Sequence, residues 1–187
     1  MNPRVFPASQ AHKLDDPERR TWLRPHEVMD ALGLTPGMVI VDIGAGTGYF
    51  SIPLLESPMV PSRVYAVDLQ REMLDILQSK LSEANRTRML LVQGSAAHTN
   101  LPTASCDLAL LANVWHELDQ GPDVSKECRR ILKLGGRLAI LDWRSDAQPP
   151  PGPPLAHRIS SATVVSELQA STGLCTPNST LAPSVIW

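Results

Sequence analysis

The chain of 187 residues carries 17 Lys and Arg against 19 Asp and Glu, which gives a formal net charge of −2. This length suits one domain with a sizeable core, and a slightly acidic balance without a basic cluster disfavours nucleic acid as a partner. The first ten residues lack the apolar segment of a signal peptide, and the apolar stretches are too short to cross a membrane. Three widely spaced cysteines, Cys106, Cys128 and Cys175, form no C-x-x-C pair. They favour core packing in a reducing cytoplasm over a disulfide or a zinc site.

The N-terminal region, residues 1–37, is predicted to contain only short helices because Pro17, Pro25 and Pro36 interrupt it. Residues 15–18, with acids in a first turn and proline near its first position, are typical of a helix start. We interpret residues 1–37 as a helical cap over the open end of a sheet. Residues 38–187 are then the ligand-binding domain.

From residue 38 onward, strand-like and helix-like segments alternate. Apolar runs predict strands at 38–43, 63–67, 88–92, 107–111 and 137–141, and helical spacing predicts helices at 47–56, 71–84, 124–132 and 160–171. The proline run at 148–154 is predicted to be a stiff, non-helical connection. The alternation predicts an α/β fold, with a mostly parallel sheet and helices on both faces. Such sheets bind ligands at the carboxyl ends of their strands.

The first predicted strand runs directly into a turn with three glycines spaced two apart. Glycine lets the backbone approach a ligand closely because it has no side chain to clash. The dinucleotide fingerprint G-x-G-x-x-G would need a glycine where Tyr49 stands, and Asp42 would repel a pyrophosphate. S-adenosylmethionine instead carries an ammonium and a sulfonium and no phosphate. The predicted cofactor is therefore S-adenosylmethionine, and the residues of this run that bind it are Asp42, Gly44, Ala45, Gly46 and Gly48.

A second acid, Asp68, ends the second predicted strand. It follows the glycine turn by about twenty residues, the offset at which an acid reaches the ribose hydroxyls of a nucleoside. A carboxylate that accepts from two vicinal hydroxyls makes charge-assisted bonds of about 1.5–3 kcal/mol each. The alternative is a turn aspartate that is merely solvated.

The order of these segments resembles the type 11, UbiE-like group of class I S-adenosylmethionine-dependent methyltransferases over roughly residues 15–172. The resemblance rests on the glycine turn, Asp68, residues 94–96, residues 106–113 and residues 130–138. It implies a three-layer Rossmann-like fold with a seven-stranded sheet and methylation mostly of small molecules. The last antiparallel hairpin of that fold is expected to be abbreviated, because only fourteen residues follow Gly173.

The same resemblance implies the remaining cofactor residues. Asp68 and Leu69 would hold the ribose and the adenine edge, and Met73 would lie against the adenine. Ser95 stands where the group commonly has an aspartate for the adenine amino group; serine can make that contact as a neutral acceptor, with help from the backbone of Ala96. We also expect Asn113, at the end of the fourth strand, in the cofactor site.

Methyl transfer from a sulfonium is an in-line displacement that needs no metal, and alignment supplies up to about 7–11 kcal/mol. A base is required only if the acceptor must lose a proton. His116 is the candidate general base, and a histidine bonded to a loop carbonyl is the alternative. The predicted substrate pocket comprises Tyr49, Trp115, Trp143, Arg144 and His157. Core packing is the alternative for the aromatic residues, and a surface ion pair is the alternative for Arg144.

The sequence thus predicts a methyltransferase that uses S-adenosylmethionine to methylate a small molecule in the cytoplasm. It is expected to be a monomer or a homodimer, without a metal and without nucleic-acid or membrane partners. The main alternative is a non-catalytic module that binds S-adenosylmethionine and serves as a partner or sensor. A nicotinamide-dependent oxidoreductase is opposed by the glycine spacing.

Overall fold

The computed structural model describes residues 5–119, 121–146 and 153–172, and the backbone of a strand at 184–186. Cys175 and most of the proline run predicted as a stiff connection lie outside these residues. Within the described ranges, none of the helices is both long enough and apolar enough to cross a membrane.

The strands form one parallel sheet in the order β3-β2-β1-β4-β5-β6. They are β1 Val39–Ile43, β2 Arg63–Asp68, β3 Met89–Gln93, β4 Cys106–Ala112, β5 Leu132–Leu141 and β6 Ser184–Ile186. Ile43, the last residue of β1, is in register with Val67 of β2 and Leu111 of β4. The strand order reverses between β1 and β4, so a ligand crevice is expected at the carboxyl ends of these strands.

Helices cover both faces of this sheet, which confirms the predicted Rossmann-like α/β class. They are α1 Arg19–Trp22, α2 Pro25–Ala31, α3 Ser51–Glu56, α4 Arg71–Lys80, α5 Glu83–Arg86, α6 Gly121–Ile131 and α7 Ser161–Thr172, with 3₁₀ helices at Ala8–Asp15, Trp115–Glu117 and Leu155–His157. One buried cluster joins the sheet to α2, α3 and α4, and a second joins it to α6 and α7. Cys106 and Cys128 lie in the second cluster as buried free thiols.

Two predicted helices differ from the observed ones. The helix expected from residue 47 begins at Ser51, because Gly44, Gly46 and Gly48 all have left-handed φ angles of 77°, 53° and 92° and keep the chain in turns. The helix expected at 71–84 ends at Lys80, where the backbone turns extended. A short helix then restarts after Ser82, whose hydroxyl accepts a hydrogen bond from the backbone of Asn85.

The C-terminal edge also differs in direction from the hairpin implied by the resemblance. Strand β6 pairs in parallel with β5, and Ile140 is in register with Val185. A parallel pair needs a long crossover between its strands, and α7 lies within that crossover. Strand β5 itself begins at Leu132, earlier than predicted, because Leu132 pairs with Cys106 ahead of a register shift.

Gly48 has a packing role that can be tested. A Cβ at this position would overlap Cδ1 of Leu77, whereas a Cβ at Gly37, which has a φ of 82°, would meet nothing within 4 Å. We expect Gly37→Ala to lower the free energy of unfolding by about 1–2 kcal/mol, the cost of the left-handed backbone. Gly48→Ala should cost about 1–3 kcal/mol more, because it also overpacks the core. Equal losses for the two variants in urea unfolding would contradict this role.

Candidate functional site

A cavity of about 840 Å³ opens at the carboxyl ends of β1, β2 and β4. Ligand pockets span about 300–1,000 Å³, so this one is large enough for a cofactor and a second molecule. Fourteen of the residues predicted to form the site contribute to its wall: Asp42, Gly44, Ala45, Gly46, Tyr49, Asp68, Leu69, Met73, Ser95, Ala96, Asn113, His116, Trp143 and His157.

Three other predicted site residues lie outside this wall, which corrects their expected placement. Gly48 faces the core at Leu77. The Trp115 side chain is buried, and its indole N–H donates to Glu167 Oε2 at 2.9 Å. Arg144 turns to the surface, where its guanidinium Nε donates to Asp146 at 2.7 Å. Packing and a surface ion pair, the alternatives considered for Trp115 and Arg144, therefore describe them better.

Asp68 fixes the shape of the glycine turn. Its Oδ2 accepts from the backbone N–H of Gly46 at 2.8 Å, and its Oδ1 accepts from that of Gln70 at 2.9 Å. The backbone N–H of Leu69 also bonds this carboxylate. A carboxylate offers about four acceptor positions, so one remains for a ligand. Burial raises the pKa of Asp68 despite these hydrogen bonds. An acid buried in a cavity wall in this way favours a ligand that donates hydrogen bonds or carries positive charge.

Asp42 is the second acid in the wall, and its side chain is almost wholly buried. The residue is 2% exposed, and the Ser51 hydroxyl donates to its Oδ2 at 2.5 Å. Burial, together with the nearby charge of Asp68, raises the pKa of Asp42 to about 6. A cation bound beside Asp42 would offset the cost of burying its negative charge. The carboxylate acceptors of this cavity therefore fit an ammonium group.

The N-terminal strap, residues 5–15, contributes side chains to the cavity wall and is held by Gln70. The amide of Gln70 accepts from the N–H of Ala8 at 3.0 Å and donates to the carbonyl of Phe6 at 2.8 Å. At the other end of the strap, Asp15 accepts from the Thr47 hydroxyl at 2.7 Å. The strap places Phe6 in the cavity wall. Sequence reasoning missed Phe6 and Gln70, because neither belongs to a local motif.

His116 is held by Asp142, which follows β5. Asp142 Oδ1 lies 2.7 Å from His116 Nδ1, and Oδ2 accepts from the backbone N–H of His116 at 3.0 Å. Burial disfavours the imidazolium, but the hydrogen bond and charge of Asp142, with the charge of Glu117, outweigh it and raise the pKa of His116. The raised pKa increases the fraction of His116 that is protonated at a given pH, and only the unprotonated imidazole can accept a proton.

Glu117, the next residue, is a site residue that sequence reasoning missed. It lines the cavity, and its Oε2 accepts from the backbone N–H of Phe6 at 3.2 Å. Burial, followed by the charges of Asp142 and Asp68, raises its pKa to about 7 against the opposing effects of Phe6 and His116. The pair His116-Glu117 is visible in the sequence, but the contact that turns Glu117 inward comes from the distant strap.

Aromatic side chains form part of the cavity wall. The rings of Trp22 and Trp143 lie 5.3 Å apart, and the guanidinium of Arg19 lies 4.1 Å from the centre of the Tyr49 ring. Trp22 was not predicted as a site residue. Among the residues that the structure describes, no group of three His, Cys, Asp or Glu side chains is placed to hold a metal ion.

The chain matches the methyltransferase domain family of type 11 over residues 41–140. An uncharacterized methyltransferase of Mycobacterium tuberculosis is 33% identical over 121 residues, which are 65% of this chain and 46% of that protein. A demethylmenaquinone methyltransferase of Lactococcus lactis is 30% identical over 119 residues, covering 62% of this chain and 46% of that protein. The chain thus spans about half the length of the curated relatives it matches.

A solved structure matches nearly the whole chain. The crystal structure of a SAM-dependent methyltransferase from Aquifex aeolicus superimposes with a TM-score of 0.81 at 30% identity, over 90% of this chain and 89% of that one. The family match, the sheet order and the acid-flanked glycine turn agree with one another. The chain belongs to the type 11 group of class I S-adenosylmethionine-dependent methyltransferases.

Proposed function

We propose that this chain transfers the methyl group of S-adenosylmethionine to a small molecule bound in the same cavity. The observation that carries the proposal is the placement of two buried carboxylates, Asp42 and Asp68, beside the glycine turn in one cavity wall. Burial raises the pKa of both carboxyl groups, and this supports a ligand that brings positive charge to the wall. Bound S-adenosylmethionine would supply a methyl group already activated by its sulfonium.

The proposed roles follow from the positions of the residues. Asp42 receives the ammonium of the cofactor, and the Asp68 carboxylate accepts from the ribose. Leu69 and Met73 pack against the adenine, while Ser95 and Ala96 contact its edge. The backbone is proposed to contact the ligand directly, without an intervening bulky side chain, at Gly44, Ala45, Gly46 and Asn113. Asn113 has a left-handed φ of 58°, a conformation that asparagine tolerates better than most residues.

His116 has a positioning role in this proposal. Its pairing with Asp142 fixes the 3₁₀ helix Trp115–Glu117 against the end of β5. Methyl transfer depends on alignment, so a rigid turn beside the acceptor favours the reaction. Tyr49, Trp143 and His157 remain the proposed wall of the acceptor pocket. We place the activity in the cytoplasm, since the two described cysteines are free thiols.

Calorimetry with S-adenosylmethionine and with NAD tests the cofactor assignment. We expect micromolar binding of S-adenosylmethionine and none of NAD. Asp68→Ala should weaken S-adenosylmethionine at least tenfold, about 1.4 kcal/mol, because the ribose and the glycine turn both lose a partner. Asp75→Ala, which removes an exposed carboxylate paired with Arg71 on α4, is the matched control and should bind as the wild type does. Binding of NAD, or unchanged affinity in Asp68→Ala, would refute the assignment.

A further inference from the structure

We propose that Asp15 and Lys80 are positioning residues for the methyl transfer. Together they fasten the N-terminal strap to the glycine turn, and the strap is released when the cofactor enters or leaves. This inference rests on the proposed function and adds to it two residues that lie outside the cavity wall. It begins with the strap itself, which contributes Phe6 and Leu14 to the wall of the cavity that contains the proposed cofactor residues.

The strap is bonded to the chain at both ends of helix α4. Just before the helix, the side chain of Gln70 bonds the main chain of Phe6 and Ala8. At the last residue of the helix, Lys80 Nζ donates to both carboxylate oxygens of Asp15 at 2.6 Å. A helix of 10 residues is about 15 Å long, so the strap is fastened at two well-separated points.

The contact between Asp15 and Lys80 extends to the glycine turn through Thr47. The Thr47 hydroxyl donates to Asp15 Oδ1 at 2.7 Å, and Lys80 Nζ donates to the Thr47 carbonyl at 2.9 Å. Thr47 is buried and follows Gly46, whose backbone N–H donates to Asp68. These contacts join the strap, α4 and the glycine turn. A turn that is held from two sides keeps the bound cofactor aligned, and methyl transfer depends on alignment.

Leu14, the neighbour of Asp15, packs directly on the glycine turn. A Cβ added at Gly46 would lie 3.2 Å from Leu14 Cδ1, so the strap covers this glycine closely. Leu14 and Gly46 both line the cavity. A cofactor bound at Gly46 therefore lies beside the strap, and the ion pair of Asp15 with Lys80 keeps Leu14 in the wall.

The strap can be released while the rest of the fold stays intact. Among residues 5–15, Ala11 is the one buried residue. The ion pair is partly open to solvent, since 38% of the Asp15 side chain and 30% of the Lys80 side chain are accessible. Segments with few buried apolar contacts open locally at a low cost in free energy. A cofactor that binds better to the closed strap shifts the strap toward its closed state.

Trypsin can measure the opening of the strap, because the exposed Lys13 provides a cleavage site within it. Cleavage requires the chain to detach and extend, so its rate follows the population of the open state. Mass spectrometry gives the rate of cleavage after Lys13 with and without S-adenosylhomocysteine. At about ten times its dissociation constant, the ligand should slow this cleavage about tenfold, the limit for a ligand that binds only the closed state.

Lys80→Met removes the ammonium and keeps most of the aliphatic stem. The variant should raise two rates by about fivefold, the effect of a partly exposed ion pair. These are the cleavage after Lys13 in the apoprotein and the dissociation of radiolabelled S-adenosylhomocysteine during a chase with unlabelled ligand. Lys80→Arg keeps the positive charge and should restore both rates to within about twofold of the wild type. Asp75→Ala breaks an exposed ion pair on the same helix and should match the wild type.

The possible failures are distinguishable. If S-adenosylhomocysteine does not bind, the proposed function itself is wrong. If it binds and the cleavage after Lys13 is equally fast with and without it, the strap does not respond to the cofactor and this inference alone is overturned; that result needs only the wild type. If the ligand dissociates from Lys80→Met at the wild-type rate, the ion pair of Asp15 and Lys80 does not hold the strap closed.

Discussion

Asp42→Asn is expected to stabilise the apoprotein and to weaken its cofactor site at the same time. Folding raises the pKa of the Asp42 carboxyl from its ordinary value of 3.8 to about 6, mainly because of burial. A pKa raised by folding contributes stability below about pH 4, and that contribution is lost as the pH rises toward 6. At pH 7.5 the ionised carboxylate therefore opposes folding, by up to about 3 kcal/mol. Asparagine keeps an acceptor for Ser51 and removes the charge.

Urea unfolding at pH 7.5 should show the gain in the free energy of unfolding, and the difference from the wild type should disappear near pH 4. Calorimetry at pH 7.5 should show S-adenosylmethionine affinity lower by about 10- to 100-fold, the loss of one charged hydrogen bond. A variant that is less stable than the wild type at pH 7.5, or one that binds the cofactor equally well, would show that Asp42 has a different role.

Asp142→Ala should have the largest destabilising effect among the site variants. Asp142 is paired with His116, whose side chain is 10% exposed, and it also accepts from the backbone N–H groups of His116 and Trp143. Removing one partner of a buried ion pair costs about 3–5 kcal/mol. The raised pKa of His116 contributes stability that is present below about pH 6.5 and lost as the pH rises through the folded value. The loss in the variant should therefore be greatest in mildly acidic buffer.

Thermal and urea unfolding at pH 6 and pH 9 would measure this dependence. Asp146→Ala provides the control, because it also removes an acid with a cationic partner, Arg144, but at the surface. That variant should unfold as the wild type does. A loss for Asp142→Ala that is the same at both pH values would assign the effect to the two backbone hydrogen bonds rather than to the imidazolium.

The sheet and its crevice were predictable because they depend on local signals. Apolar runs marked β1 to β4 within one residue at each end, and they marked the end but not the start of β5. Asp42 and Asp68 were singled out by their positions at strand ends. The helix start after the glycine turn was misplaced because nothing in the local sequence reports that all three glycines are left-handed. The parallel pairing of β6 was missed for a related reason, since strand direction depends on the path of the chain before it.

The parts of the site that escaped prediction are those built from distant segments. Glu117 faces the cavity with the N–H of Phe6 on its carboxylate, a contact across more than a hundred residues. Trp22 and Trp143 meet only after the N-terminal region and the end of β5 are brought together. The pattern of a single sequence gives the periodicity and spacing of residues. It does not indicate which loops lie together at the edge of a sheet.

Gln70 connects the two ends of the cavity. Its backbone N–H donates to Asp68, and its side-chain amide bonds the main chain of Phe6 and Ala8. The backbone N–H of Phe6 in turn donates to Glu117. Three successive hydrogen-bonded contacts therefore connect the nucleoside end of the crevice to the end where the second substrate is expected. Binding of S-adenosylmethionine at the nucleoside end should fix the geometry of the end where the second substrate binds. We therefore expect compulsory-order kinetics, in which S-adenosylmethionine binds first and its thioether product dissociates last.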